Sequence, residues 1–369
     1  MKIIEQPAQA AVDRCAGNHF YFGGHEQIVY FQHEPTALQA IVAIHDTTLG
    51  PALGGLRFLE YENESAALKD VLRLSRGMTY KSAIAGLDVG GGKAVILKKK
   101  GVALTEALLR KFGTFVDSLG GKYITAPDVN THVNHMVQVA KSTRHIACLP
   151  IALGGSGDPS ENTAYGVYLA MKAAVKKTVG TDSLAGKKIG VEGVGKVGYF
   201  LVQLLCQEKA FVYVTDICPK RLEAITAVCK VEVVVAGTLH SLPLDIYAPC
   251  ALGATLNSKT IPKLRCAMVV GAANNQLACE ESDAKLLLEH GILYLPDFLA
   301  NAGGIINAAT ELEKGPFNKS WVKERTEQLY DTCLDVLHRA EASNCSTKEV
   351  AQAIAQERIQ SIKSICHNG

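Results

Sequence analysis

The sequence has no excess of charge of either sign. Lys and Arg total 38 against 36 Asp and Glu, a formal net charge of +2 over 369 residues, so it carries no electrostatic footprint for nucleic acid or an anionic membrane surface. It also lacks any run approaching the roughly 18 uninterrupted apolar residues of a membrane span. The opening segment, MKIIEQPAQAAVDR, has no apolar stretch of about 7 to 15 residues such as a secretory leader carries. Eleven cysteines are scattered from Cys15 to Cys366, but none forms a C-x-x-C pair or joins histidines at zinc-ligand spacing, and the total is odd. They read as free thiols in a reducing cytoplasm, with no metal site. The composition itself is ordinary. At 48% apolar and 20% charged the chain has material for buried cores, which excludes disordered and collagen-like classes. A small-molecule function is the default.

The length predicts two domains, because single cores rarely grow beyond roughly 250 to 300 residues. Residues 26–61 carry β-rich runs at 27–32 and 40–46, interrupted by Gly50, Pro51, Gly54 and Gly55. From Asn63 the apolar period turns helical through Leu68, Val71 and Leu72, with Asn63 or Ser65 as cap and an end near Met78. A strand at 93–97, a helix at 105–119 and a short strand ending at Thr125 follow. Residues 1–150 are therefore expected to form an α/β domain of their own. The Gly/Ser/Pro-rich stretch LGGSGDPSEN (153–162) marks the connection. Beyond it, six strand-like segments alternate with helices at 187–192, 211–216, 231–235, 245–248, 266–270 and 291–295. That alternation predicts a doubly wound parallel sheet over 151–331. The helical tail, 332–369, is expected to pack back on the first domain.

The first strand of the second domain, KKIGVEG, runs into Gly193-Val194-Gly195-Lys196-Val197-Gly198 and then a helix. Gly193 suits the tight turn, Gly195 lets backbone approach a pyrophosphate, and Gly198 lets the helix pack closely on the strand. The second strand ends in Asp216, 23 residues after Gly193, where an acid accepts from the adenosine ribose 2′-OH. A carboxylate there repels a 2′-phosphate, which favours NAD over NADP. Glycines alone would be a weak signal; strand, turn, helix, strand and Asp together specify a dinucleotide site.

A nucleotide site names no reaction, so the first domain must supply the chemistry. RGMTYKSAIAGLDVGGGK (76–93) places Lys81 at a helix end and Lys93 after three glycines, with no compensating acid nearby in sequence. The segment is not a phosphate loop: the first-glycine position is Leu87, and Ala94 follows the lysine. Each lysine alone would read as a solvated surface charge. Lys93, however, is embedded in Gly, Ala, Val and Ile, which would desolvate an ammonium and lower its pKa toward that of a general base. Asp128, in TAPDV, reads equally as a second site group or as a turn or N-cap residue before a helix near Thr131.

Nine segments in order resemble the amino acid dehydrogenases that act on leucine, valine, phenylalanine, tryptophan and glutamate. They are GPALGGLR (50–57), RGMTYK (76–81), GGGK (90–93), YITAPDV (123–129), TAYGV (163–167), GVGKVG (193–198), APCALG (248–253), GAANNQL (271–277) and NAGGIIN (301–307), spanning nearly the whole chain, and they are closest to the leucine, phenylalanine and tryptophan branch. The resemblance implies reversible NAD-dependent oxidative deamination of an L-amino acid to a 2-oxo acid and ammonium, by a homo-oligomer; the charge balance already speaks against a nucleic-acid or membrane partner. It further implies that Lys81 and the amides of Gly54 and Gly55 hold the substrate carboxylate, that Lys93 activates the attacking water, and that Asp128 relays protons. Thr163, Asn274 and Asn301 would lie near nicotinamide or substrate.

By the same resemblance Leu53, Ala126, Ile305 and Ala308 line the side-chain pocket. All four are uncharged, which disfavours glutamate. Ala308 leaves room for a larger group, while Ala126 suits aliphatic substrates. A branched-chain substrate ranks first and an aromatic one second, with a catalytically silent NAD-binding protein as a further alternative. A 2-hydroxy-acid oxidoreductase would need a histidine relay instead of the lysines. The chain departs from the family pattern at Pro127, which holds Ala126 extended, and at Glu192 and Lys196 around the glycine turn. His132 and His135 form an H-x-x-H pair without a third metal ligand.

Overall fold

The computed structural model describes residues 2–4, 24–312 and 317–367. Cys15 lies outside them. The chain forms two compact units. The first takes the described residues of Met1–Asp158, Asn307–Asn318 and Ala355–Gly369, the second Pro159–Ile306 and Lys319–Ile354. The division falls inside the Gly/Ser/Pro-rich stretch.

Six strands build the sheet of the first unit: β1 (Lys2–Ile4), β2 (Gln27–His33), β3 (Leu38–Asp46), β4 (Ala52–Leu59), β5 (Gly90–Leu97) and β6 (Tyr123–Pro127). Their order is β1-β2-β3-β5-β4-β6. The first four neighbours pair antiparallel, and β4 pairs parallel with both β5 and β6. On one face the helix Glu64–Ile84 packs Ala67, Leu68 and Val71 against Ile41, Ala43 and Val95. On the other, Leu109, Phe112, Met136 and Val139 from the helices Glu106–Asp117 and Val133–Ala140 meet Val42, Leu56 and Ile96. Fully burying each such side chain is worth about 1.5–3 kcal/mol.

Two features differ from the sequence expectation. The residues read as strand breakers, Gly54 and Gly55, lie within β4, and the three glycines before Lys93 open β5 instead of forming a loop. Close packing accounts for both. A Cβ at Gly54 would lie 1.7 Å from the Gly92 carbonyl oxygen, and one at Gly91 would lie 2.1 Å from Thr79 Oγ1 of the covering helix. A helix and strands approaching this closely leave room only for glycine. The helix continues past Met78 to Ile84, burying Thr79, Ser82, Ala83 and Ile84. Its start is capped by Asn63, whose side chain accepts from the Ala66 N–H at 2.9 Å.

In the second unit β7 (Lys188–Glu192), β8 (Phe211–Thr215), β9 (Glu232–Val233), β10 (Leu244–Pro249), β11 (Cys266–Val269) and β12 (Leu293–Tyr294) form a sheet in the order β12-β11-β10-β7-β8-β9. Every pair is parallel. All six expected strands are present. This is the doubly wound dinucleotide-binding order, with its switch point between β7 and β10, where the carboxyl ends of the strands open a ligand crevice.

The tail divides differently from the expectation that 332–369 returns to the first unit. The helix Lys319–Ser343 belongs to the second unit, and the chain rejoins the first only from Ala355. The apolar stripe of Val322, Leu329, Cys333 and Val336 is spent there. In the last helix, Thr347–His367, Ala355 and Ile359 are buried, and Arg358 donates to the Leu87 carbonyl at 2.7 Å and pairs with Asp88 at 2.7 Å.

Within the first unit Glu311 holds the loop from Cys148 to Ser156. One carboxylate oxygen accepts from the Cys148 N–H at 2.7 Å, the Ser156 N–H at 2.6 Å and the Ser156 hydroxyl at 2.5 Å. Burial pushes the Cys148 thiol well up, with the Glu311 charge adding to it, so this cysteine is unreactive. Glu311→Ala leaves these donors without their acceptor and is expected to cost about 2–3 kcal/mol, read as a lower denaturation midpoint at unchanged slope. Stability equal to wild type would show that water replaces the carboxylate.

Candidate active site

Lys93 points from β5 into the interior and is only 3% exposed. The compensating acid missing nearby in sequence comes from the end of β6: Lys93 Nζ lies 2.7 Å from Asp128 Oδ2. The same oxygen accepts from Arg57 Nε of β4, also at 2.7 Å. Arg57 in turn pairs with Asp70 at 3.1 Å, and Tyr61 donates to Asp70 at 2.7 Å. Asp128 is thus not a helix cap. The N-cap of the helix Val133–Ala140 is His132, which makes no side-chain capping bond, and the His132 and His135 rings stack at 3.6 Å.

The aspartate is aimed by its own turn. Its N–H donates to Thr131 Oγ1 at 2.8 Å, and that hydroxyl donates to the Leu56 carbonyl at 2.8 Å. Pro127 ends β6 in register with Leu56, so the departure at this position is absorbed as the last extended residue before the turn. Gly55 is required for the assembly. A Cβ there would fall 2.7 Å from Asp128 Cβ and 3.3 Å from Lys93 Nζ.

These contacts set the charges. Burial pushes the Lys93 ammonium below its usual value; Asp128 pulls it partly back, and Arg57 adds to the depression. Burial acts to raise the Asp128 carboxyl, but the Lys93 and Arg57 cations overcome it and hold the group well below the usual carboxylate range. Arg57 stays protonated, its burial outweighed by Asp128 and Asp70. The arrangement is an ionised carboxylate between two cations, one of which is prone to lose its proton.

Lys81 is buried, at 7% exposure, in the last turn of the helix Glu64–Ile84. Leu53 and Ala126 are buried on β4 and β6, with Ala126 paired to Gly55. Ile305 and Ala308 are buried on the helix Gly303–Ala309, Ile305 in the second unit and Ala308 in the first. Sequence reasoning did not find Arg57, Asp70 or Tyr61. The available signal was an arginine inside GPALGGLR on a strand otherwise free of charge.

In the second unit the glycine turn has the geometry its motif requires. Gly193 has φ 96°, and a Cβ there would strike Ala251 at 2.8 Å; a Cβ at Gly198 would lie 2.0 Å from the Gly193 carbonyl oxygen. Gly195 is the open one, with nothing nearer to its Cβ position than Arg221 Nη1 at 3.9 Å. Glu192 accepts from the Tyr247 hydroxyl, so this departure is turned into the sheet. Lys196 is exposed at the first position of the helix Lys196–Gln207. Asp216 accepts from the Val194 N–H at 2.9 Å and the Cys218 N–H at 2.8 Å.

Asn301 donates to Asn274 Oδ1 at 2.8 Å and to the Ala272 carbonyl at 2.9 Å, while its own Oδ1 is buried with no hydrogen-bond partner. Thr163 donates to the Pro159 carbonyl at 2.9 Å. A dinucleotide fits these residues. Its pyrophosphate can occupy the space in front of Gly195, and a carboxamide N–H can satisfy the Asn301 oxygen.

Among the described residues no three His, Cys, Asp or Glu side chains are grouped to hold a metal, no helix is long and apolar enough to cross a membrane, and nine cysteines are free thiols.

Residues 25–145 match the Glu/Leu/Phe/Val dehydrogenase dimerisation domain, and residues 154–218 and 215–367 match the glutamate/leucine/phenylalanine/valine dehydrogenase model. A leucine dehydrogenase of Bacillus cereus is 44% identical over 340 residues, 92% of each chain. A phenylalanine dehydrogenase of Lysinibacillus sphaericus is 45% identical over 341 residues, 91% of this chain and 89% of that one. The crystal structure of L-tryptophan dehydrogenase from Nostoc punctiforme superposes with a TM-score of 0.76 at 40% identity, covering 92% of this chain and 97% of that one. The chain belongs to the glutamate, leucine, phenylalanine and valine dehydrogenase family, amino acid oxidoreductases that use nicotinamide cofactors.

Proposed function

We propose that this chain catalyses the reversible NAD-dependent oxidative deamination of a branched-chain aliphatic L-amino acid, giving the 2-oxo acid and ammonium. The observation that carries the chemistry is Lys93, buried, depressed in pKa and 2.7 Å from Asp128. A lysine whose charged form burial disfavours can, once neutral, take the proton of a water attacking the substrate imine. The short contact with Asp128 gives that proton a path toward the leaving nitrogen. Lys81 supplies a cation for the substrate carboxylate, and Gly54 and Gly55 supply backbone N–H groups free of side chains. A dinucleotide would be held through Gly193, Gly195, Gly198 and Asp216 at its pyrophosphate and adenosine end and through Thr163, Asn274 and Asn301 near its nicotinamide, which would supply the acceptor for the substrate hydride.

The side-chain preference rests on Leu53, Ala126, Ile305 and Ala308. None carries a charge to pair with a substrate carboxylate, and the relatives act on leucine, phenylalanine and tryptophan alike. Ala126 supports the aliphatic ranking. With NAD⁺ at alkaline pH, NADH absorbance is expected to report L-leucine and L-valine above L-phenylalanine and L-tryptophan by about 10-fold or more, and L-glutamate at least about 100-fold below leucine. Tryptophan or phenylalanine as the best substrate would replace the aliphatic reading with the aromatic one. The match to a dimerisation domain supports assembly of identical subunits, in keeping with a closed homo-oligomer.

A further inference from the structure

An acid at the end of the second strand is the usual device for admitting a ribose 2′-OH and repelling a 2′-phosphate. In this chain that acid is occupied elsewhere. Asp216 uses Oδ2 for the Val194 N–H of the glycine turn and Oδ1 for the Cys218 N–H of the following loop, and its side chain is 3% exposed. It braces the turn and presents little of itself to a ligand. The exposed charge beside it is of the opposite sign. Arg221, in the first turn of the helix Pro219–Thr226, has a side chain 56% exposed, with Nη1 3.6 Å from Asp216 Oδ2. That separation is an ion-pair contact and not a hydrogen bond, so the fork of the guanidinium is not locked onto the carboxylate.

The position of Arg221 gives it a ligand to meet. Its Nη1 is also the nearest atom to the Cβ position of Gly195, 3.9 Å away, on the open side of the turn where a pyrophosphate would approach. Lys220 and Lys196 are exposed on the same two helix starts. A planar guanidinium is suited to bidentate contact with a phosphate, and its charge offsets that of Asp216.

We propose that Arg221 makes the glycine-turn site of this chain accept 2′-phosphorylated dinucleotides, so that it binds NADP(H) alongside NAD(H). The proposal rests on the reading of that turn as the dinucleotide site. It also assigns Asp216 a different part from the one its sequence position suggests, as a brace of the turn more than a filter against phosphate.

The test is a fluorescence titration of the full chain and of Arg221→Leu with NADH and NADPH, with 5′-AMP and 2′,5′-ADP as competitors that differ by the 2′-phosphate alone. Arg221 is exposed, so the variant should fold, and a matching circular dichroism spectrum checks this. For wild type, NADPH is expected to bind within about 30-fold of NADH. In Arg221→Leu, NADPH and 2′,5′-ADP should weaken by about 10- to 100-fold, as for loss of a charged hydrogen bond, with NADH and 5′-AMP changing less than about threefold. NADH binding with no detectable NADPH binding would overturn the inference and leave the dinucleotide site standing. Equal weakening of both nucleotides in the variant would overturn it too, making Arg221 a general contact. Binding of neither by wild type would remove the dinucleotide reading itself, and this inference with it.

Discussion

Lys93→Ala is expected to lower kcat for oxidative deamination by about 10²–10⁴-fold, the range supplied by a positioned general base, while leaving dinucleotide affinity within a factor of about two. The two effects separate because Lys93 belongs to β5 of the first unit and the glycine turn to β7 of the second. Folding should survive. Removing the lysine does not orphan Asp128, whose Oδ2 still accepts from Arg57 Nε at 2.7 Å. The wild-type pH profile carries the same prediction. Activity should rise as Lys93 loses its proton, with a midpoint below the ordinary lysine value of about 10.4, because burial depresses the group. Initial rates by NADH absorbance, nucleotide titration and a thermal melt decide it. Turnover within tenfold of wild type would show that another group activates the water.

Legibility in the sequence followed how local each cause was. The glycine turn could be read because Gly193, Gly195 and Gly198 act within six residues and their spacing is itself the geometry. The six strands around it showed because a parallel sheet buried on both faces is written as short apolar runs. β4 was hidden. Its glycines argue against a strand on propensity, and what overrides propensity is the Gly92 backbone pressing on Gly54 from 38 positions away in sequence. The site behaved likewise. Lys93 stood out by its apolar surroundings and Asp128 as one of two readings, with the resemblance to a family adding their roles, but Arg57, which pairs with Asp128 across 71 positions, and Asp70 behind it left no periodic trace. The long helix Lys319–Ser343 read as amphipathic, yet an apolar stripe does not say which unit it covers.

Asp128→Asn tests that network from its centre. Here two cations, Lys93 and Arg57, are held near one another by a single carboxylate oxygen 2.7 Å from each. Neutralising it leaves the buried Lys93 ammonium without this carboxylate and Arg57 with Asp70 alone, for a loss of about 3–5 kcal/mol of stability. The pH dependence has a definite sign. The folded Asp128 carboxyl lies below its unfolded value of about 3.9, because Lys93 and Arg57 outweigh the opposing effect of burial. Its contribution is therefore fully present above that unfolded value and is lost as pH falls through the depressed folded one. The gap between wild type and variant should be widest near neutrality and narrow below about pH 4.

The catalytic profile should move as well. Asp128 raises the Lys93 pKa against burial and Arg57; without it the lysine loses its proton more easily. The rising limb of kcat against pH should shift toward acid even as the maximum falls for want of a proton path. A merely structural aspartate would lower stability without moving that limb. An alkaline shift would contradict the assignment of Lys93 as the base whose charge Asp128 supports.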